Sequence, residues 1–328
     1  MSRRRLVTLI VGPMLIVGLS LSLTRWVKPR APIAMQGNDV LAAAGGRGAG
    51  VLAHASVTLA APAHTPSASL VADCEIAARR LAARLGPACA TLVHAPLIIA
   101  GDMNQTELDR WHRETILPAV RAMQHSYFRG TPDKPVTVLL FTTEESYQHY
   151  SRALFDEDGV SVFGYYRSEP RTLVINASTG AGTLVHELTH ALLAFDFPGV
   201  PDWFNEGLAS MHEQCRIRSD GTCIDGLDNW RLPILQQAIR SGRLKPLRSL
   251  IRDGDFRGRD EGVHYAQARY FCLYMQRLGV LETFFHQFRA NHADDPTGEK
   301  TVAAMFPDRT WAELDHELQR WVMARRGS

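Results

Sequence analysis

Apolar and polar positions follow a pattern that predicts strands in the middle of the chain and helices in its second half. The apolar run 135–141 predicts a buried strand, and the runs 162–166 and 172–175 flank a polar turn, which is typical of a β-hairpin. Apolar residues then recur at helical spacing over 183–195, and nearly all of the remaining chain keeps a helical pattern. Strands followed by helices predict the α+β class, with a small mixed β-sheet followed by a helical C-terminal part.

Three further elements are predicted before the first of these strands. Helical spacing indicates a short helix over 74–85. The run 92–99 has the composition of a strand, but Pro96 should either split it or confine it to a sheet edge. A longer helix is predicted over 107–127, and Pro118 should bend or interrupt it.

The first 30 residues have the pattern of a membrane anchor. Residues 6–24 form an uncharged apolar stretch that follows three consecutive arginines. A spanning helix needs about 20 such residues, whereas the apolar part of a cleaved signal has about 7–15. We therefore expect a signal-anchor over 1–30, an N-terminal transmembrane segment that makes the membrane a partner of this chain. Cleavage after Ala34 is the alternative.

The segment 31–70 is rich in Ala, Gly and Pro and predicts a flexible linker. The folded domain is then expected over 71–328. This domain should lie outside the cytoplasm, on the periplasmic side of a bacterial inner membrane, or be secreted if the anchor is cleaved.

Composition and charge exclude several classes of protein. Hydrophobic residues make up 45% of the chain and charged residues 21%, which is ordinary for a globular protein and excludes collagen-like, disordered and multi-span membrane chains. Residues 1–30 contain six basic and no acidic residues, so the remainder of this +2 chain carries a net charge of −4. Such an acidic body gives no electrostatic basis for binding nucleic acid, and we expect no nucleic-acid partner.

The five cysteines are compatible with an oxidising compartment. Cys74 and Cys89 are close in sequence, as are Cys215 and Cys223, so two local disulfides are one interpretation and five reduced thiols the other. Cys272 would remain unpaired. No C-x-x-C pair occurs, so a cysteine zinc cluster or a thioredoxin-like motif is not indicated.

The most informative segment is His186-Glu187-Leu188-Thr189-His190 within the helix predicted over 183–195. Histidines at positions i and i+4 lie one turn apart on the same face of a helix, so both imidazoles can reach one zinc ion (Zn²⁺). Glu187 lies beside them and could act as the general base toward a zinc-bound water. The pattern therefore predicts a zinc hydrolase.

A catalytic zinc site needs a third protein ligand, and two residues are candidates. Glu206 follows His190 by 16 residues, which leaves room for a helix end, a reversal and a second helix. Asp196 lies nearer, but its use requires a sharp turn that a glycine three residues after His190 would allow, and Leu193 occupies that position. We therefore favour Glu206 and keep Asp196 as the rival ligand.

Together, the H-E-x-x-H motif and the segment Trp203-x-Asn205-Glu206-Gly207 resemble the gluzincin zinc metallopeptidases, and most of all the peptidase MA-like family. The resemblance covers about residues 135–280. It implies a zincin-like fold, with His186, His190 and Glu206 as zinc ligands and Glu187 as the catalytic acid and base.

The chain departs from these peptidases in three ways. The interval from His190 to Glu206 is shorter than in their thermolysin-like and aminopeptidase members. Ser210 replaces the aspartate that often follows the ligand glutamate by four residues and supports a histidine ligand. The G-x-M-E-N segment of the aminopeptidases is absent, which argues against a site specialised for N-terminal amines.

A zinc hydrolase also needs a group that stabilises the oxyanion formed when water attacks a carbonyl. Tyr265 at the start of a late predicted helix is the first candidate for this catalytic role, and His264 is the second. Ordinary helix packing is the alternative role of both. A peptide substrate would pair with an edge strand near the zinc, for which 162–166 and 172–175 are both candidates.

The leading hypothesis is a membrane-tethered zinc endopeptidase acting on peptide or protein substrates. A second hypothesis is a catalytically silent, peptidase-like module that binds or assembles partners in the cell envelope. A third is a zinc hydrolase acting on a non-peptide amide or ester. Activity on a broad peptide library would distinguish the first two.

Overall fold

A computed structural model describes residues 65–158, 160–218, 221–252 and 254–326. The predicted anchor, and the predicted linker except for its last six residues, lie outside these ranges. None of the helices within the described ranges is long and apolar enough to cross a membrane.

A mixed five-stranded sheet forms the first half of the fold, as the hydrophobic pattern predicted. Its strands are β1 (Ala90–His94), β2 (Leu97–Gly101), β3 (Val136–Phe141), β4 (Gly164–Arg167) and β5 (Thr172–Asn176). They are arranged in the order β1-β2-β3-β5-β4. The pairs β1–β2 and β4–β5 are antiparallel, whereas β2–β3 and β3–β5 are parallel.

Two strand predictions are confirmed in detail. The run 92–99 is split at Pro96 into the antiparallel pair β1 and β2, and the Pro96 carbonyl accepts a hydrogen bond from the Val136 amide at the start of β3. The predicted hairpin is the β4–β5 pair, with Gly164 opposite Ile175 and Arg167 opposite Thr172. Of its two strands, β5 lies between β3 and β4, and β4 lies at the sheet edge.

Four helices accompany the sheet: α1 (Ala68–Leu85), α2 (Gln105–Trp111), α3 (Leu117–Ser126) and α4 (Glu144–Phe155). α1 begins six residues before the predicted start because the Ser67 side chain caps it, accepting a hydrogen bond from the Leu70 amide. The helix predicted over 107–127 is present as α2 and α3, joined by a π-helical turn (His112–Ile116). Pro118 explains this turn, because proline lacks an amide hydrogen and crowds the carbonyl four residues earlier.

The second half is helical except for one short hairpin that the pattern did not predict. Its helices are α5 (Ala181–Asp196), α6 (Asp202–Glu213), α7 (Arg231–Arg240), α8 (Leu247–Arg252), α9 (Glu261–Arg277), α10 (Leu281–Asn291), α11 (Glu299–Met305) and α12 (Trp311–Met323). The hairpin consists of β6 (Cys215–Ile217) and β7 (Ile224–Gly226). The amphipathic α12 turns Leu314, Leu318 and Val322 inward, which identifies its apolar face as core.

The central helix of this half is α6, which packs against α5 on one side and α9 on the other. Two glycines allow the close approach. A Cβ atom on Gly182 of α5 would lie 2.4 Å from the Glu213 carbonyl oxygen, and one on Gly207 of α6 would lie 2.9 Å from the Ala268 carbonyl oxygen in α9. Trp203 and Phe204 are buried at 2% and 0% exposure and anchor α6 in the core. Burial of each such side chain contributes roughly 1.5–3 kcal/mol.

All five cysteines, each within the described ranges, are free thiols. The interpretation with two local disulfides is therefore wrong, and the one with five reduced thiols is confirmed. Cys215 lies opposite Gly226 in the β6–β7 register, and Ile217 lies opposite Ile224, so Cys223 is offset from Cys215 along the hairpin. Cys74 and Cys89 pack into different apolar clusters.

Candidate metal centre

Two consecutive helices carry the side chains of the candidate metal centre. α5 holds His186 and His190 one turn apart, and its last turn is followed by a reversal at Gly199, which has a left-handed φ of 85°. α6 then begins after Pro201 and carries Glu206 on its second turn. The reversal and second helix expected from the sequence are therefore present.

Three donor atoms from these helices converge. The Nε2 atoms of His186 and His190 are 3.0 Å apart, and each lies 3.5 Å from Oε2 of Glu206. Their side chains are 13%, 12% and 4% exposed, so the group is largely shielded from water. Glu206 was favoured over Asp196 on sequence grounds, and it is the residue that joins the two histidines in a group able to hold a metal ion.

The spacing of the three atoms fits a tetrahedral metal. Zinc binds histidine nitrogen and carboxylate oxygen at about 2.0–2.2 Å, so neighbouring ligand atoms of a tetrahedral site are separated by about 3.3 Å. The observed separations of 3.0–3.5 Å bracket this value. A donor set of two imidazoles and one carboxylate also suits zinc, although other first-row divalent ions bind such sets.

Asn205 orients one of the imidazoles. Its side-chain oxygen Oδ1 lies 2.9 Å from Nδ1 of His190. Since an amide oxygen only accepts hydrogen bonds, Nδ1 carries a proton, and Nε2 is the atom that faces the centre. Asn205 lies in the segment that carried the family resemblance, but the sequence did not assign it this role.

Arg257 is the main participant that the sequence analysis missed. Its Nη2 donates to Oε1 of Glu206 at 2.5 Å, and its Nη1 donates to the Tyr265 hydroxyl at 2.9 Å. Its Nε lies 3.8 Å from Asp202. Glu206 thus gives one oxygen to a guanidinium and turns the other toward the histidines. Arg257 lies in the loop between α8 and α9, where no periodic pattern or motif identified it.

The electrostatics of the centre follow from burial and mutual attraction. Burial alone would raise the pKa of Glu206, but the imidazoles of His190 and His186 lower that pKa well below its ordinary value. Burial would lower the pKa of His190, and the Glu206 carboxylate raises it to about 9. The candidate ligand carboxylate is therefore the ionised form that a cation requires, whereas a cation must displace the Nε2 proton of His190 to bind there.

Glu187 follows His186 directly in α5, the helix that carries both candidate histidines, and is 8% exposed. Burial raises the pKa of its carboxyl group, while the neighbouring His186 and His190 act in the opposite direction. A carboxyl group with a raised pKa, beside a candidate metal centre, is suited to accept and return a proton.

Of the two candidates for oxyanion stabilisation, only Tyr265 lies at the centre. Its hydroxyl accepts the hydrogen bond from Arg257, and burial and the adjacent Glu206 raise its pKa. His264 is turned away: it is 2% exposed, and its Nδ1 bonds to the Phe256 carbonyl oxygen at 2.8 Å.

The remaining candidates have other partners. Asp196 bonds to Arg289 and accepts a hydrogen bond from the Arg129 amide, so it is engaged away from the histidines. The Ser210 hydroxyl is buried and has no hydrogen-bond partner in the described part of the chain, so it does not support a ligand.

His212 of α6 connects the two helices that carry the candidate donors. It is fully buried, and its Nδ1 lies 3.0 Å from the Thr189 hydroxyl in α5. That hydroxyl donates to the Val185 carbonyl oxygen and therefore accepts the proton of His212. His212 thus joins α6 to α5 within the core.

Comparison with known proteins assigns no family to this chain. The sequence matches no protein-family model, and no curated protein is significantly similar to it. Its function is therefore inferred from its own residues and their geometry.

Proposed function

We propose that this protein is a zinc-dependent hydrolase, an endopeptidase of the gluzincin type that uses Glu187 as its general base. The observation that carries this proposal is the convergence of His186, His190 and Glu206, with three donor atoms 3.0–3.5 Å apart. Glu187 lies beside this group, and Tyr265 reaches it from a separate helix. A zincin-like arrangement of the mixed sheet and helices, and membership of the peptidase MA-like family, belong to the same proposal.

The chemistry divides between the metal and the side chains. Bound zinc would polarise a substrate carbonyl and lower the pKa of a coordinated water to about 7. Glu187 takes a proton from the attacking water and later delivers it to the leaving amine. The Tyr265 hydroxyl donates a hydrogen bond to the carbonyl oxygen as negative charge develops there. Arg257 holds both Tyr265 and Glu206 in position.

The substrate backbone would bind along β4. This strand pairs with β5 alone among the described strands, so its outer edge can accept an extended peptide. β5 is paired on both sides and cannot. Val162 and Phe163 just before β4 are 38% and 41% exposed and offer apolar contacts to a peptide side chain. These features favour a peptide substrate over other amides and esters.

The predicted signal-anchor would tether this hydrolase to a membrane, with the catalytic domain on the extracytoplasmic side. Peptide or protein substrates would then be those of the cell envelope. The alternative is a catalytically silent module that retains zinc and binds envelope partners. The next experiment distinguishes the two.

The substitution Glu187→Gln tests the proposal in the full-length chain. Glutamine keeps the size of the side chain but cannot accept the proton. We expect unchanged zinc content and a loss of kcat of at least about 100-fold. Zinc is measured by mass spectrometry of the metal, and kcat with a quenched-fluorescence peptide library. Glu145→Gln, an exposed position in α4, is the control and should match the wild type.

Equal cleavage rates for wild type and Glu187→Gln would contradict the mechanism. A wild-type protein that binds zinc yet cleaves no member of the library would instead support the silent module.

A further inference from the structure

A second cluster of metal-ligating side chains lies far along the chain from the candidate metal centre, where α2 packs on β1. Asp109 and His112 are three residues apart, which places them on one face of their helix. His94 is the last residue of β1. One nitrogen of each histidine and one oxygen of Asp109 lie within 4.8 Å of one another.

Two nitrogens of this cluster are buried and have no hydrogen-bond partner within the described ranges: Nε2 of His94 and Nδ1 of His112. His112 is 7% exposed, so water does not reach it freely. Burying an unpaired polar group costs about 1–3 kcal/mol. The stability of the fold therefore does not explain why these two nitrogens are buried without partners. A bound cation that accepts both lone pairs would explain it.

Like Glu206, Asp109 has one carboxylate oxygen bonded to an arginine and the other directed at a histidine. Its Oδ2 accepts a hydrogen bond from Nε of Arg113 at 2.7 Å, and its Oδ1 faces Nε2 of His94 at 3.8 Å. That distance is too long for a hydrogen bond and leaves a gap between donor atoms. The side chains of His94 and Asp109 are 37% and 38% exposed, so an ion can enter from solvent.

We propose that His94, Asp109 and His112 form a second metal site, for a first-row divalent transition ion such as Zn²⁺, with water completing the coordination. The imidazole rings are stacked, with centroids 3.7 Å apart and planes 9° apart. Binding therefore requires the partly exposed His94 ring to turn so that its lone pair meets that of His112. The bound ion fastens β1 to α2, which is a structural role independent of the proposed hydrolase activity.

Metal stoichiometry of the full-length protein tests this site. The protein is stripped with a chelator and titrated with Zn²⁺ alone, with calorimetry and metal analysis as readouts. We expect the double variant His186→Gln/His190→Gln to retain one equivalent of zinc. Adding His94→Gln or Asp109→Asn to that variant should abolish the remaining equivalent. His125 is an exposed histidine in α3 and serves as the control: adding His125→Gln should leave the remaining equivalent of zinc bound.

Thermal unfolding provides a second readout. Zinc should raise the unfolding midpoint of His186→Gln/His190→Gln, because an ion that binds only the folded state stabilises it, and this rise should vanish with His94→Gln. The site is ruled out if His186→Gln/His190→Gln takes up no zinc. It is also ruled out if His94→Gln, shown by circular dichroism to be folded, takes up as much as its parent.

Discussion

At the scale of single residues, the candidate metal centre depends on supporting partners as much as on its three donors. Glu206 and His190 each have one atom facing the centre and one atom bonded to a neighbour, Arg257 and Asn205 respectively. Such neighbours fix the orientation of metal ligands, and their loss weakens metal affinity by about 10–100-fold.

Replacement of Arg257 by Met should weaken zinc binding by about 10–100-fold. The buried Oε1 of Glu206 loses its partner, and the carboxylate is then free to turn away from the histidines. Arg257→Lys should recover only part of the affinity, because an ammonium group cannot reproduce the guanidinium fork that reaches both Glu206 and Tyr265. Competition with a chromogenic chelator measures the affinity.

Arg259→Met, at an exposed position two residues further on, is the matched control. Tighter zinc binding by Arg257→Met would contradict the prediction. It would show that the guanidinium acts mainly by repelling the cation.

Replacement of Asn205 by Leu should also lower zinc affinity by about 10–100-fold, because Nδ1 of His190 loses its acceptor and the ring can change tautomer. Asn205→Asp keeps an acceptor oxygen and should restore the affinity. The same chelator competition applies. Equal affinity of the Leu and Asp variants would show that Asn205 only fills space.

At the scale of elements, the position of α6 between α5 and α9 decides whether the donors meet. The sequence predicted both ligand helices because a helical period and a short reversal are local features. It could not predict Arg257, which lies in a loop and reaches Glu206 across 51 residues. The β6–β7 hairpin was missed because strands of three residues are too short to show an alternation.

Replacement of Gly207 by Ala should destabilise the fold by about 1–3 kcal/mol, as overpacking in a close interface does. The new Cβ atom would lie 2.9 Å from the Ala268 carbonyl oxygen and 3.0 Å from Sγ of Cys272. Urea unfolding followed by circular dichroism measures the change.

Gly262→Ala in α9 is the control with the opposite expectation. No atom lies within 4 Å of its new Cβ, and alanine is the better helix former, so stability should rise by about 0.5–1 kcal/mol. A stable Gly207→Ala variant would mean that α6 and α9 can move apart without cost.

At the scale of the whole molecule, the sequence predicted the order of sheet and helices but did not decide between two local disulfides and five reduced thiols, and the structure has the free thiols. Two cysteines that are close in sequence can form a disulfide across a hairpin only if the strand register places them opposite each other. The β6–β7 register offsets Cys215 from Cys223. The predicted anchor lies outside the described residues and stays a prediction.

All five thiols should therefore react when the purified full-length protein is unfolded in denaturant without reductant. Alkylation followed by intact-mass spectrometry counts them. A mass increase that corresponds to three thiols would reveal one disulfide and contradict the free thiols of this structure. Reduction before unfolding is the control and should not change the count.

The connection between α5 and α6 spans only residues 197–201, so one contiguous stretch of chain supplies every donor of the candidate centre. Arg257 and Tyr265 arrive from a later stretch. Substitutions in the later stretch can consequently alter the affinity for the metal ion and the stabilisation of a substrate carbonyl in the proposed hydrolase. The distances among the three donor atoms would not change. A hydrolase of the proposed kind can thus be adapted to new substrates without changes to the segment that would bind the metal.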